Sequence, residues 1–413
     1  MNCKKFIKKL LKLKGLKLKS FYFSNYNKEL YLVVAPYKNG CLCPECHRRC
    51  KIYKINKEPR FWQDIIVCGI KIYFQYRPKE IDCPTHGRQQ EVIPWAYDHS
   101  RITYRLEFLI ARYAQTMTQV NAAELLQIPK STFSNLLHKI ITRVRENHKI
   151  RGLKSIGVDE ISYARNKKYA TIVYDLERSC VVWAAKGKGK DTIEDFFNNH
   201  LSEYQKENIT TASCDMSEAY INAIKENCPN VTLVLDKFHI VKALNDALDT
   251  VRKEEWQSLS KDDRIVLKGM RWLLYKHAGN RTKQETRAIN QLGKSNRRIH
   301  RAWILKDEFA LFWEYKSPAA AKKFLARWMT AALKSRIESI RKFVRTIKKH
   351  LDNIIAYIGN KITNAKAEGI NRIIKQIKDR SSGFKNLDNF INLIYLTVGD
   401  VDVPAQFSAK FRT

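Results

Sequence analysis

Residues 155–236 constrain the fold more than any other stretch. Three β-rich runs come first, at 155–161, 169–176 and 180–185, separated by polar turns. Short turns between strands favour antiparallel pairing, so these three should form a meander. Residues 191–199 then carry apolar positions at helical spacing. A fourth strand at 210–215 and a fifth at 231–236 flank a helix at 217–226. Parallel strands need a crossover of this kind. The order predicts an α/β sheet whose strands carry acids: Asp159 lies on the first, Asp215 ends the fourth and Asp236 ends the fifth.

That order is the RNase H-like one, in which the first and fourth strands are neighbours. Asp159 and Asp215 are therefore expected to converge. The chemistry that needs converging carboxylates is phosphodiester cleavage with two Mg2+ or Mn2+ ions about 3.5–4 Å apart. Hard cations take several carboxylate oxygens. A third acid is expected on a later helix, and Glu368 fits. On a helix, Glu368, Asn371, Arg372 and Lys375 share one polar face at i, i+3, i+4 and i+7. Ala367, Ile370, Ile374 and Ile377 form the opposite apolar stripe. One face then offers a metal ligand and phosphate-binding partners while the other packs. Asp236 is the rival for the second metal position, and His239 could orient a phosphate or a water. The plain alternative for both is a structural hydrogen bond at a strand-to-helix turn. Glu368 lies 132 residues beyond Asp236, too far for a simple crossover. The interval reads as a large all-helical insertion rich in Lys and Arg. Its Trp256, Trp272, Trp303, Trp313 and Trp328 are expected in a core rather than as wedges between DNA bases.

Upstream lies a cysteine cluster. Cys43-Pro-Glu-Cys46 and Cys83-Pro-Thr-His86 are two knuckles with the same two-residue gap. That gap lets two ligands from one tight turn meet one tetrahedral Zn2+, and two knuckles complete the shell. Gly87 follows the second, where a turn can require positive φ. Cys41, Cys50 and Cys68 are spare thiols that could compete as ligands. The alternative is a reduced β module without metal. Residues 31–35, 61–66 and 70–76 are its expected strands.

Residues 101–150 switch to helical periodicity. The stretch 118–126 is Ala- and Leu-rich, Gln127-Ile128-Pro129-Lys130 breaks it, and Ser131 is the expected N-cap of a second helix. Phe133, Leu136, Leu137 and Ile140 give that helix its buried stripe. This is the pattern of a DNA-reading helix-turn-helix. Lys130, Ser131, Thr132, Asn135, Lys139 and Arg143 would face the groove. Gln127 stands where such turns often have Gly. Charge points to the same partner: 76 Lys and Arg against 41 Asp and Glu leave a formal net charge of +35. Such an imbalance favours a polyanion, bound by counterion release at phosphates. A lysine-rich, low-GC genome would produce the same excess. Residues 1–20 hold eight Lys and no acid and read as a basic amphipathic helix or a loosely ordered arm. No apolar run is long enough for a membrane span and no secretory signal is evident, so a cytoplasmic, nucleoid-associated bacterial protein is expected.

Four segments together carry a resemblance: Gly157-Val-Asp159-Glu160, Cys214-Asp215-Met216 with Ala219-Tyr220, Leu235-Asp236-Lys237-Phe238-His239, and Thr363-Asn-Ala-Lys-Ala-Glu368-Gly with Asn371. They resemble bacterial insertion-sequence transposases of the ISL-three type. The zinc knuckles and Val92-Ile-Pro94-Trp95-Ala96 resemble the same family's N-terminal module. The resemblance implies a DDE transposase that cuts element ends and joins them to target DNA, with Asp159, Asp215 and Glu368 as its acids. Ala365 and Ala367 depart mildly from the family pattern. The implied organisation is a basic arm (1–29), a zinc-binding β module (30–97) and a helix-turn-helix domain (98–150). An RNase H-like catalytic domain follows in two parts (151–240 and 356–400), split by the helical insertion (241–355), with a tail at 401–413. A homodimer bound to terminal inverted repeats is the expected assembly. The rivals are a DNA-binding regulator with an inert domain, a nuclease or resolvase that does not join, and a ribosome-associated basic protein.

Overall fold

The computed structural model describes the chain except residues 1–2, 25, 27, 38–40, 147–149, 165–167, 260–263, 265–266, 361–364, 382–383, 385 and 401–413. The expected tail, the turn at 165–167, and Thr363 and Asn364 lie outside the described residues. The chain divides into two compact units, Met1–Lys149 with Lys375–Thr413, and Ile150–Ile374.

The first unit opens with α1 (Cys3–Leu10) and β1 (Leu16–Ser24). β2 (Glu29–Pro36), β3 (Lys51–Ile55), β4 (Arg60–Val67), β5 (Ile70–Tyr76), β6 (Lys79–Cys83) and β7 (Gly87–Gln90) follow. They form a four-stranded sheet in the order β1-β2-β5-β4 and a three-stranded sheet β3-β6-β7. The expected basic arm at 1–29 is thus corrected. Among its described residues 3–10 are helical, and β1 pairs antiparallel with β2. Leu11, Leu13 and Leu16 are the reason, since they bury in one core with Leu32, Trp62, Phe74 and Trp95.

Three helices complete the unit's middle: α2 (Tyr104–Thr116), α3 (Gln119–Leu125) and α4 (Lys130–Glu146). Thr118 caps α3 by accepting from the Asn121 amide at 3.2 Å. Between α3 and α4, Gln127 adopts φ +47°. Its amide donates to Glu124 O and that of Ile128 donates to Ala123 O, both at 2.9 Å. This is a complete Schellman closure with Gln in the left-handed position usually given to Gly. The α4 start lies two residues before expectation. Phe133 N donates to Pro129 O at 2.9 Å, so the helix begins at Lys130 and Ser131 lies inside its first turn. Phe133, Leu137 and Ile140 are buried as their spacing implied.

The second unit contains β8 (Ser155–Ala164), β9 (Lys168–Asp175) and β10 (Cys180–Lys186), an antiparallel meander. Helices α5 (Lys190–His200) and α6 (Glu203–Glu207) lead to β11 (Thr211–Cys214), and α7 (Glu218–Asn227) leads to β12 (Thr232–Leu235). The sheet order is β10-β9-β8-β11-β12, with β11 parallel to both β8 and β12. Near-continuous apolar runs such as Tyr169–Leu176 suit strands covered on both faces.

Among the described residues seven α-helices follow: α8 (Lys237–Ser258), α9 (Met270–Tyr275), α10 (Lys283–Ser295), α11 (Arg297–Ala310), α12 (Pro318–Lys334), α13 (Glu338–Lys349) and α14 (Leu351–Asn360). α8 packs against α11 and α13, and α14 against β12. Trp303 and Trp328 are buried, with Trp256 and Trp313 packed at the core's edge. Trp272 alone of the five departs from the expected core placement, at 71% exposed.

Helix α15 (Ala365–Arg380) follows, with Ala367, Ile370, Ile374 and Ile377 all buried. The last helix, α16 (Leu387–Val398), packs on α4 and α2. Residues 375–400 therefore group with the N-terminal unit rather than with the 151–240 sheet as expected. Phe390, Leu393 and Ile394 are buried, Arg380 Nη1 donates to Gln115 O at 2.9 Å, and Asn392 Nδ2 lies 3.1 Å from His138 Nδ1.

Candidate active site and metal cluster

Asp159 lies on β8, and Asp215 is one residue past β11. The two strands are parallel neighbours whose last registered pair is Gly157 with Ser213. Each aspartate is therefore two residues beyond the same rung. The strand geometry aligns them because both strands are buried and mutually hydrogen-bonded up to that point.

Each Asp159 oxygen has one partner. Oδ1 accepts from the Glu160 amide at 2.7 Å, and Oδ2 accepts from Asn371 Nδ2 at 2.7 Å. Asn371 belongs to α15, and its Oδ1 accepts from the Tyr174 hydroxyl of β9. Burial pushes the Asp159 carboxyl above the usual carboxylate range, opposed by the Glu160 amide, His239 and Asn371. Asp215 Oδ1 accepts from the Ser217 amide at 2.9 Å. Among the described residues neither Asp159 nor Asp215 is in an ion pair. In a chain of net charge +35 that is a conspicuous gap.

Asp236 and His239 take the structural arrangement weighed for them. Asp236 caps α8 by accepting from the Phe238 amide at 3.0 Å, and its other oxygen lies 3.0 Å from His239 Nδ1. That bond raises the His239 imidazole against the effect of burial, and the charges of Asp159 and Asp215 raise it further. Glu368 is exposed on α15, one turn before Asn371. Burial raises the Tyr357 hydroxyl, and the charges of Asp236 and Glu368 add to it, so both acids act on one side chain. Among the described residues, Asp159, Asp215 and Glu368 do not form a group close enough to share an ion. Carboxylates without an intervening cation repel one another.

Sequence reasoning passed over Glu160 and Tyr174. Burial raises the Glu160 carboxyl, Lys188 opposes this, and the charges of Asp215 and Asp159 add to it. Tyr174 had one available signal. It pairs across the strands with Gly157, a glycine inside a buried strand. A Cβ there would meet Leu176 Cδ2 at 3.0 Å and Tyr174 Cδ2 at 3.4 Å. Glycine in a strand interior often marks such a close approach.

The expected zinc ligands do assemble. Cys43, Cys46, Cys83 and His86 place their ligand atoms within 4.8 Å of one another. Cys43 Sγ lies 3.6 Å from His86 Nδ1, Cys46 Sγ 3.7 Å from Cys83 Sγ, and Cys83 Sγ 3.7 Å from His86 Nδ1. Zn–S and Zn–N bonds of about 2.3 and 2.0 Å give tetrahedral edges of about 3.5–3.8 Å, so the four atoms could hold zinc. His47 and Gly87, each just after a knuckle, both have positive φ (53° and 67°). Backbone amides of Thr85 and His86 lower the Cys83 thiol to about 6, which favours the thiolate. Cys68 instead sits in the β4–β5 turn with φ 51°.

On α4, Lys130, Ser131, Thr132, Asn135 and Lys139 are exposed. Arg143 is engaged internally. Its guanidinium bonds to buried Glu107 and lies 3.5 Å from the Tyr97 ring centroid. Arg372 and Lys375 of α15 are exposed, whereas the Asn371 amide is turned onto Asp159.

These features, a zinc-type cluster and a helix-turn-helix pattern followed in sequence by acids on neighbouring strands, are found in a chain that matches a known class of enzyme. Residues 156–394 match the transposase family of the ISL3 DDE type, and the chain belongs to that family. The transposase for insertion sequence element IS1557 of Mycobacterium tuberculosis is 26% identical over 380 residues, covering 86% of this chain and 85% of that one. The transposase for insertion sequence element IS1001 of Bordetella parapertussis is 26% identical over 366 residues, covering 87% and 89%. The Drosophila P element transposase strand transfer complex aligns at 8% identity with a TM-score of 0.36, over 73% of this chain and 92% of that chain. Among the described residues no helix is long and apolar enough to cross a membrane. The family implies a DNA-cutting and DNA-joining enzyme that uses divalent metal.

Proposed function

We propose that this protein binds the terminal inverted repeats of its insertion sequence, hydrolyses the element ends and joins the 3′-OH ends to target DNA. Asp159, Asp215 and Glu368 are the metal-holding acids of an RNase H-like domain. The observation that carries the reading is the pairing of β8 with β11, which aligns Asp159 and Asp215. The Asn371 bond to Asp159 supports Glu368 as third acid, since both residues ride on α15.

The donor set suits hard cations, being carboxylate oxygens without Lys or Arg partners among the described residues. Two Mg2+ or Mn2+ ions, when bound, supply activation of the attacking oxygen and stabilisation of the leaving oxygen. Asp159 offers the lone pairs left over from Glu160 N and Asn371 Nδ2. A carboxylate has about four acceptor sites, so two remain. Asp215 offers Oδ2 while Ser217 N holds Oδ1. Asp236 acts as the α8 cap and orients His239 rather than serving as a ligand. Arg372 and Lys375 contact phosphate. The exposed row Lys130, Ser131, Thr132, Asn135 and Lys139 reads the repeat, and zinc on Cys43, Cys46, Cys83 and His86 fixes the N-terminal module. Helices α8 to α14 are the insertion between the second and third acids. Two copies act together, one per element end.

The test is incubation of the protein and Mg2+ with DNA carrying both ends of its own element and a target plasmid. Metal-dependent cuts at the element boundaries and joined products are expected. Binding without cutting would leave only the regulator, and cutting without joining only the nuclease.

A further inference from the structure

The Asp159 carboxylate is held through a chain of contacts that ends in a buried hydroxyl. Tyr174 on β9 is 0% exposed, and among the described residues its hydrogen-bond partner is Asn371 Oδ1. Asn371 in turn gives Nδ2 to Asp159 Oδ2 at 2.7 Å. We propose that Tyr174 is a positioning residue for the active site, its hydroxyl bracing the Asn371 amide against Asp159 Oδ2 and so fixing the Asp159 carboxylate.

The argument is one of hydrogen-bond accounting. An amide has an acceptor end and a donor end of nearly the same shape, and only its partners decide between its two orientations. A carboxylate is acceptor-only. Were the amide reversed, Asn371 Oδ1 would face Asp159 Oδ2, acceptor against acceptor. Tyr174 stays a protonated donor, because burial and the nearby Asp159 charge both raise its hydroxyl well above the ordinary range. The acceptor-only carboxylate therefore sets the amide with its NH2 toward Asp159, and the Tyr174 hydroxyl, donating to Oδ1, holds it there. The linkage joins β8, β9 and α15, the last being the helix that carries Glu368. Gly157 leaves the space for it, opposite Tyr174 in the β8–β9 register. Groups that orient a metal ligand commonly change metal affinity about 10–100-fold when removed.

The inference rests on the reading of Asp159 as a metal ligand, and the experiment separates the two. Mn2+ binding to the full chain is measured by electron paramagnetic resonance, alongside the Mn2+ dependence of end cleavage and a thermal melt. Tyr174→Phe keeps the ring and removes only the hydroxyl. It is expected to weaken Mn2+ binding about tenfold, as is Asn371→Ala. The double variant should be no weaker than Asn371→Ala alone, because Tyr174 acts through Asn371. Additive losses in the double variant would overturn the proposal. So would unchanged Mn2+ affinity in Tyr174→Phe, whether or not its melting temperature falls. If Tyr174→Phe does not fold, Asn371→Ala with wild-type affinity is equally decisive against it. Asp159→Ala is the control. Wild-type Mn2+ binding there would remove the metal-centre reading itself, and this inference with it.

Discussion

Gln127 holds a left-handed backbone, φ +47°, at the bend between α3 and α4. Its side chain offsets part of that strain by donating from Nε2 to Gly69 O at 3.3 Å. A non-glycine residue in this region costs roughly 1–2 kcal/mol, and a β-branched one is worse placed still. Gln127→Val should therefore melt lower than Gln127→Gly by at least about 1–2 kcal/mol of stability, as read by thermal denaturation. Equal melts for both would mean that the Schellman closure is not what sets this turn. Arg143 makes a second residue-level claim. Glu107 is 3% exposed, so removing Arg143 leaves a buried carboxylate without its cation. Arg143→Ala should cost about 3 kcal/mol. Burial already raises the Glu107 carboxyl, against the pull of Arg143. The folded state therefore binds the proton more tightly than the unfolded state does. The penalty must grow as pH rises through that raised range and shrink in mildly acidic buffer. A penalty independent of pH would contradict the pairing.

Helix α4 has one exposed face and one engaged internally. Lys139 is exposed while Arg143 turns inward, although both were expected to face DNA. Lys139→Ala should leave the melt unchanged and reduce the salt slope of end binding by about one, the mark of a lost phosphate contact. An unchanged slope would take Lys139 off the interface. The zinc knuckles are the other element to test. Elemental analysis after extensive dialysis should return one zinc per chain. Stripping it with a chelator should loosen the β3-β6-β7 sheet, since structural zinc contributes folding energy directly. A stoichiometry near zero would sink the assignment. How much of this was legible in sequence depended on the range of the interaction. The knuckles, the Ala367–Ile377 stripe of α15 and the acids at strand ends are local patterns, and each formed where expected. β1 was misread because Leu16-Lys-Leu-Lys in a lysine-rich stretch resembles a basic helix, and what makes it a strand is distant pairing with Leu30–Pro36. The return of α16 onto α4 has the same cause: nothing within residues 387–398 tells which apolar surface they cover.

At the scale of the whole molecule, the chain brings residues that are far apart in sequence to one sheet. Asn371 reaches Asp159 across 212 positions and Tyr174 across 197. No periodicity could announce either contact. The pairing of β8 with β11, by contrast, followed from strand order alone, because a meander followed by two helix-linked strands leaves few topologies. Glu368 is the acid least tied down by geometry, exposed on α15 and linked to the others through Asn371. The most direct measurement is end cleavage by Asp159→Ala, Asp215→Ala and Glu368→Ala, each with end binding measured in parallel under the same Mg2+ and salt. The account predicts that all three lose cleavage while binding the ends as the wild type does. Full cleavage by any one of them would contradict the triad and remove that residue from the site.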